Sequence, residues 1–186
     1  MNNNFKNTLQ TNLKVCSRCI YDERVSQILF DEKGVCNYCH QIENLKNEYG
    51  TGKEKGIQNL KQIISKIKKV GEGKKYDCII GVSGGTDSSY MLYLAKKWGL
   101  RPLAVHYDNT WNSSIATQNI RKILSALKID LYTHVVNNKE SDDIFKSFFL
   151  ADVAEIEAST DLALAEVMYR VAWKYKINYV FEGHSY

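Results

Sequence analysis

The spacing of apolar residues changes character at Tyr76. Before it, Ile57, Leu60, Ile63, Ile64, Ile67 and Val70 recur three and four residues apart, which predicts an amphipathic helix over 57–70, closed by "GEGKK". After it, short apolar runs alternate with helical stretches. "YDCIIGV" (76–82), "RPLAVHY" (101–107), "DLYTHVV" (130–136) and "INYVFEG" (177–183) have the length and composition of strands. Pro102 stands near the start of the second run, where a missing N–H costs least. Between the runs, Thr86–Trp98 reads as a helix ended by Gly99, and 113–127 carries Ile115, Ile120, Ile123, Leu124 and Leu127 on one face. A short helix is expected over 140–151, and a stronger one over Asp161–Tyr175 with Leu162, Ala165, Met168 and Ala172 as its stripe. Four strands separated by helices predict an α/β fold, a doubly wound parallel sheet with helices on both faces.

Upstream of the helix, "GTGKEKG" (50–56) reads as a polar linker, and residues 1–50 show little periodicity. The expected organisation is a cysteine-containing segment over 1–50, a linker and amphipathic helix over 51–75, and a sheet domain over 76–186. At 186 residues, 44% hydrophobic and 25% charged, the chain has an ordinary globular composition. It has no apolar run long enough for a membrane span, and "MNNNFKNTLQTN" lacks the apolar core of a secretory signal, so a cytoplasmic protein without a membrane partner is expected. Residues 1–75 carry 14 Lys/Arg against 8 Asp/Glu, a net +6, whereas 76–186 carry 11 against 13, a net −2. A solvated lysine-rich helix accounts for that bias; no arginine run with interleaved aromatics points to nucleic acid.

Cys16-Ser-Arg-Cys19 and Cys36-Asn-Tyr-Cys39 are two C-x2-C pairs with 16 residues between them. That spacing suits a structural Zn2+ held by Cys16, Cys19, Cys36 and Cys39, and Gly34 permits a tight turn before the second pair. A segment so poor in apolar residues would take its folding energy from the ion. Two disulfides or four free thiols are the plainer readings, and a reducing compartment disfavours the first. His40 adjoins a set of thiolates that is already complete. Cys78, in mid-strand, reads as a small buried hydrophobe.

The other concentration of chemistry is "VSGGTDS", Val82 to Ser88, between the first strand and a helix. A helix N-terminus offers unpaired N–H groups and a partial positive charge, and Gly84 and Gly85 let the backbone approach an anion. Ser83, Thr86 and Ser88 add hydroxyl donors. Asp87 is out of place in a pure anion site but suits a Mg2+ that bridges phosphates. The bland alternative is a glycine-rich turn with Asp87 complementing the helix dipole.

"SGGTDS" (83–88) resembles the pyrophosphate loop of the ATP pyrophosphatases, a superfamily that includes NAD and GMP synthetases, argininosuccinate synthetase and tRNA thiolases. Taken with the double C-x2-C head, "VHYDNTWNS" (105–113), "STDLALAEVMY" (159–169) and "EGHSY" (182–186), the chain is similar to the N-terminal portion of the N-acetyl sugar amidotransferases. The resemblance runs from about Cys16 onward. It implies an adenine nucleotide alpha hydrolase-like fold with strand order 3-2-1-4, in which Gly183 and His184 face the loop and the sheet domain is truncated at its C-terminus. ATP would be held by Val82, Ser83, Gly84, Gly85, Thr86, Asp87, Ser88, His106, Asp108, Asn109 and Gly183, with Ser83, Asp87, Ser88 and His184 in catalytic roles. His106 has an alternative as the cap of a strand end; Trp111 reads as simple packing ahead of a pocket wall, and Asp161 as a helix N-cap ahead of a substrate-side role. His134 reads as structural.

What the resemblance implies as a reaction is an AMP-forming ligase step. ATP and Mg2+ convert the acetamido oxygen of a sugar to an O-adenylate with release of pyrophosphate; ammonia then displaces AMP and leaves an acetamidino group. Such enzymes serve lipopolysaccharide and nonulosonic-acid biosynthesis. No cysteine stands beside the initiator Met or in a Gly-flanked elbow, so ammonia is expected from a separate glutaminase subunit. A tRNA thiolase of the same superfamily and a non-catalytic nucleotide-binding remnant are the alternatives.

Overall fold

A computed structural model of the chain describes residues 13–155 and 157–183. They fall into two compact units that part between Asn59 and Leu60.

The first unit is built on two small knuckles. Antiparallel bridges join Val15 to Asp22 and Phe30 to Cys36. Gly34, at φ +77°, makes the turn between Asp31 and Val35, and its carbonyl accepts the Ser17 N–H at 3.0 Å. Helix α1 (Asn37–Tyr49) follows, where periodicity predicted none. It escapes the apolar pattern because Cys39 is its only buried residue. Capping defines it instead: the Cys36 sulfur accepts the Cys39 N–H, and Gly50, in the left-handed region, returns its own N–H to the Lys46 carbonyl. Helix α2 (Glu54–Val70) starts three residues before the predicted position, inside the stretch expected to be a linker. At Gly56 the absent side chain makes room for the Gly50 carbonyl, so a residue that reads as a breaker is here a packing residue.

The second unit holds the last part of α2 and then β1 (Cys78–Gly81), α3 (Thr86–Lys97), β2 (Pro102–Asp108), α4 (Ser114–Leu127), β3 (Leu131–Val135), α5 (Asn138–Leu150), α6 (Ala158–Tyr175) and β4 (Val180–Phe181). The four strands are parallel in the order β3-β2-β1-β4, as expected. Alternation along the strands builds two cores. Cys78, Ile80, Val82 and Ala104 face one side, with Ile64 and Ile67 of α2, Leu92 and Ala95 of α3, and Ile120 and Leu124 of α4. Ile79, Leu103 and Val105 face the other, under Val167, Met168, Val171 and Ala172 of α6. At the N-terminal ends of the strands the buried Asp77 carboxylate accepts the Arg101 N–H and Nε, and Arg101 also donates to the Gly71 carbonyl.

Three expectations need correction here. β4 is two residues long; of the rest of "INYVFEG", Ile177 is core and the Tyr179 carbonyl accepts the Ile79 N–H. Helix α6 begins at Ala158, so Asp161 is not its N-cap. Glu157 occupies that position without a side-chain cap bond, and Asp161 lies in the first turn, its N–H bonded to the Glu157 carbonyl at 3.0 Å. The buried stripe of α6 is also rotated from the predicted one: Leu164, Val167, Met168, Val171 and Ala172 pack inward, whereas Leu162 is 66% exposed. Small alanines on both sides of the helix left the direction of its face open in the sequence.

Candidate functional site

The sheet order reverses at β1: the chain moves to one side of it through β2 and β3 and returns to the other at β4. In open α/β sheets ligands bind at that reversal, beyond the carboxyl ends of the strands. Val82–Ser88 is the connection that leaves β1 at this point. Val82 is buried and continues the ladder by donating to the Val105 carbonyl at 2.9 Å, so the loop springs from a fixed strand end.

Gly84 takes φ +80°, and a side chain on it would collide with the backbone of Ala116 in the first turn of α4. Gly85 is the N-cap of α3 and supplies no side-chain cap. The first helical bond is Ser89 N–H to the Gly85 carbonyl, so the amides of Thr86, Asp87 and Ser88 precede the ladder and face out of the helix end. Hydroxyls gather there. Ser83 Oγ and Ser88 Oγ are 3.4 Å apart, Ser88 Oγ also lies 3.4 Å from the Ser83 nitrogen, and Ser89 Oγ donates to the Gly85 carbonyl at 2.7 Å. Ser83, Gly85, Thr86 and Asp87 are exposed. The amides, the dipole of α3 and these hydroxyls suit an anion; the Asp87 carboxylate in the first turn suits a cation beside it.

His106 belongs to the supporting layer. It is buried, with Nδ1 2.9 Å from the Val82 carbonyl and Nε2 3.4 Å from Asn112 Nδ2. A carbonyl only accepts, so Nδ1 carries the donated proton and Nε2 accepts from the Asn112 amide. Asp108 and Asn109, at the end of β2, each cap a main-chain N–H two residues on: Asp108 Oδ1 that of Thr110 at 2.9 Å, Asn109 Oδ1 that of Trp111 at 3.1 Å. Trp111 packs edge-on against Phe145 of α5 at 4.8 Å and remains half exposed. His134 stacks on Tyr107. Gly183 is exposed, and a Cβ on it would meet Met91 of α3 at 3.2 Å. His184, the other residue expected there, lies outside the described residues. Sequence reasoning passed over Asn119, whose Nδ2 donates to the Gly84 carbonyl at 3.2 Å; a polar residue on the exposed side of a helix gives no signal of its own.

The four cysteines of the first unit converge. Their sulfurs all lie within 4.8 Å of one another, with Cys16–Cys39 at 3.9 Å and Cys19–Cys36 at 3.7 Å. These separations are far too long for disulfides, and all five cysteines of the chain are free. With Zn–S bonds of about 2.3 Å, two sulfurs of a tetrahedron stand roughly 3.8 Å apart, so the donor set fits one shared ion. Burial would raise the Cys16 thiol, but the main-chain N–H groups of Arg18, Cys36 and Cys19 bring it down to about 6. Burial and the surrounding sulfurs push Cys39 up to about 12. Four thiolates cannot share this space without a cation to offset their charge. His40 takes no part: its Nε2 pairs with Asp31 at 2.8 Å. Cys78 is fully buried in β1, and burial pushes its thiol up, which makes it a core residue and no nucleophile.

No protein-family model matches the chain. It is 30% identical over 172 residues to an uncharacterized protein of Methanocaldococcus jannaschii, an alignment that covers 91% of this chain. The chain spans 58% of the length of that curated relative. Among solved structures it is similar to NMN synthetase from Francisella tularensis, with 22% identity, 66% of this chain and 50% of that one covered, and a TM-score of 0.46. It is also similar to the U34-tRNA thiolase of Methanococcus maripaludis with its [4Fe-4S] cluster, with 15% identity, 90% and 52% covered, and a TM-score of 0.43. Likeness of this degree carries no residue role from those chains to this one. No helix among the described residues is long and apolar enough to cross a membrane.

Proposed function

We propose that the second unit is the ATP-binding part of an N-acetyl sugar amidotransferase, and that Val82–Ser88 grips the pyrophosphate that leaves when a sugar acetamido oxygen attacks the α-phosphorus. The observation that carries this reading is the uncapped start of α3. It puts the amides of Thr86, Asp87 and Ser88, with the Ser83 and Ser88 hydroxyls, at the reversal point of a parallel sheet. A P-loop lysine is not needed for a departing group held by preorganised N–H donors. Asp87 is the residue that would hold a Mg2+ neutralising the phosphates.

Ammonia comes from a separate glutaminase in this reading. Its support is the disposition of the five cysteines: four face one another in the first unit and the fifth is sealed in β1. The four-sulfur set holds a structural zinc ion, supported by separations that suit one ion rather than a cluster whose ligands each bind a different iron. A tRNA thiolase is the competing reading of the same loop, and loss of a thiolated tRNA nucleoside in a deletion strain would favour it.

The test is ATP–pyrophosphate exchange with candidate acetamido sugars present. Sugar-dependent exchange that disappears in Asp87→Ala is the expected result. Nucleotide binding without exchange for any acetamido sugar would overturn the amidotransferase assignment, and iron with acid-labile sulfide on the protein would favour the thiolase.

A further inference from the structure

We infer that His106 and Asn119 are positioning residues that aim the loop's amides at the anion by holding two carbonyls behind it. The inference rests on the reading of Val82–Ser88 as a pyrophosphate cradle. In a trans peptide unit the C=O of one residue and the N–H of the next point in opposite directions, and the described residues contain no cis peptide. The Val82 carbonyl receives the Nδ1–H of His106 at 2.9 Å, from β2. The Gly84 carbonyl receives the Asn119 Nδ2–H at 3.2 Å, from α4. Both carbonyls are therefore drawn toward the β2–α4 side. The N–H groups in the same peptide planes, those of Ser83 and Gly85, are turned away from it, toward the open end of α3.

Two features make the arrangement rigid, and a third leaves its donors open. His106 is buried, and Asn112 occupies its other ring nitrogen, so the ring cannot turn over without losing both bonds. Gly84 lies between the two tethered peptides with its Cα against the Ala116 backbone, which leaves no space for the loop to retreat. The Ser83 N–H has only a long contact of 3.4 Å to Ser88 Oγ, and no acceptor within the described residues engages the Gly85 N–H. Donors are thus kept open by bonds made to their neighbours' acceptors. A loop with the same glycines but free carbonyls would lose this orientation to solvent, so the two side chains supply the preorganisation that a backbone cradle needs.

The probe is inorganic pyrophosphate with Mg2+, titrated into 15N-labelled protein and followed by calorimetry. Parent protein should bind and shift the Ser83 and Gly85 amide resonances. Asn119→Asp puts an acceptor against the Gly84 carbonyl, and His106→Leu removes the other donor. Each should weaken binding by roughly ten- to a hundredfold, the range for one hydrogen bond to a charged group, and abolish the Gly85 shift. His106→Asn, whose amide nitrogen reaches the place of Nδ1, should restore most of the affinity. Asn119 is exposed, so Asn119→Asp carries the test if His106→Leu fails to fold. Parent protein that does not bind pyrophosphate overturns the cradle reading itself. Parent that binds, with both tether variants binding equally well, overturns the tethers alone.

Discussion

The two units reach order by different means. Between Leu13 and Asn59 the buried apolar residues are Cys16, Cys36 and Cys39, and half-exposed side chains such as Ile28, Phe30 and Tyr38 pack around them. From Leu60 onward, twelve buried residues among those described lie on one side of the sheet and eight on the other. A core of sulfurs is a core only when something bridges it, whereas a sheet covered on both faces is held by burial of aliphatic surface. Ion pairs do not close the gap: Arg18–Glu43 is nearly half exposed on both sides and contributes little. Each unit thus rests on one contribution, bridged sulfurs in the first and buried aliphatic surface in the second, and each can be removed separately.

Removing the zinc ion proposed for the four sulfurs has the largest expected effect. Structural zinc supplies about 10–16 kcal/mol of apparent binding energy to small domains, more than any side chain here supplies by packing. Chelation, or Cys36→Ser, should collapse the amide resonances of 13–59 into the unfolded range and leave those of the sheet intact, as read by 15N spectra. Loss of both sets together would show that the units do not fold independently. The converse experiment is Leu92→Ala. Leu92 is completely buried on α3, and truncation should cost about 2–5 kcal/mol in denaturant unfolding of the sheet unit. The metal content of the variant should equal that of the parent; a fall would mean that the two units depend on each other for folding.

Gly84→Ala attacks the candidate site of the second unit rather than its core. The left-handed backbone costs a Cβ about 1–2 kcal/mol, and contact with the Ala116 backbone forces a shift in addition. Thermal unfolding should drop by a few degrees, while pyrophosphate binding is lost. Unchanged binding would mean that the loop does not use the path seen here.

The same contrast explains what was legible in the sequence. The strands, the loop after β1 and the cysteine quartet could be read because each rests on a local rule: a short apolar run, a glycine pair before a helix, or paired C-x2-C spacing; the order of the strands followed only from the family resemblance. Helix α1 could not, because a unit whose buried core is three cysteines has no apolar stripe to display and the start of the helix is fixed by the Cys36 sulfur. The early start of α2 was hidden by Gly56, whose role appears only beside the Gly50 carbonyl. In the site, Ser83 to Ser88 stood out, but Asn112 and Asn119 did not. Their partners, the His106 ring and the Gly84 carbonyl, are 6 and 35 residues away in the chain, and a carbonyl has no sequence identity at all.

The smallest effect concerns charge at the far end of the sheet. Asp77 there is buried and bonded to Arg101, but Asp130 is exposed, with the Tyr76 hydroxyl at 2.6 Å and Lys75 Nζ at 2.9 Å. The Tyr76 hydrogen bond first, and then Lys75, hold the Asp130 carboxyl below the usual aspartate range. A carboxyl with a depressed folded value stabilises the protein above its unfolded value, near 4, and that contribution is lost as the pH falls through the lower folded value. Solvent screens the pair, so Asp130→Asn should lower the melting temperature of the sheet unit by less than about 2 °C at neutral pH. The difference between parent and variant should shrink as the pH is brought below about 4, and in about 1 M salt. A larger, salt-insensitive loss would mean that Tyr76 and Lys75 depend on Asp130 for packing, and that the N-terminal end of the sheet is not held by burial alone.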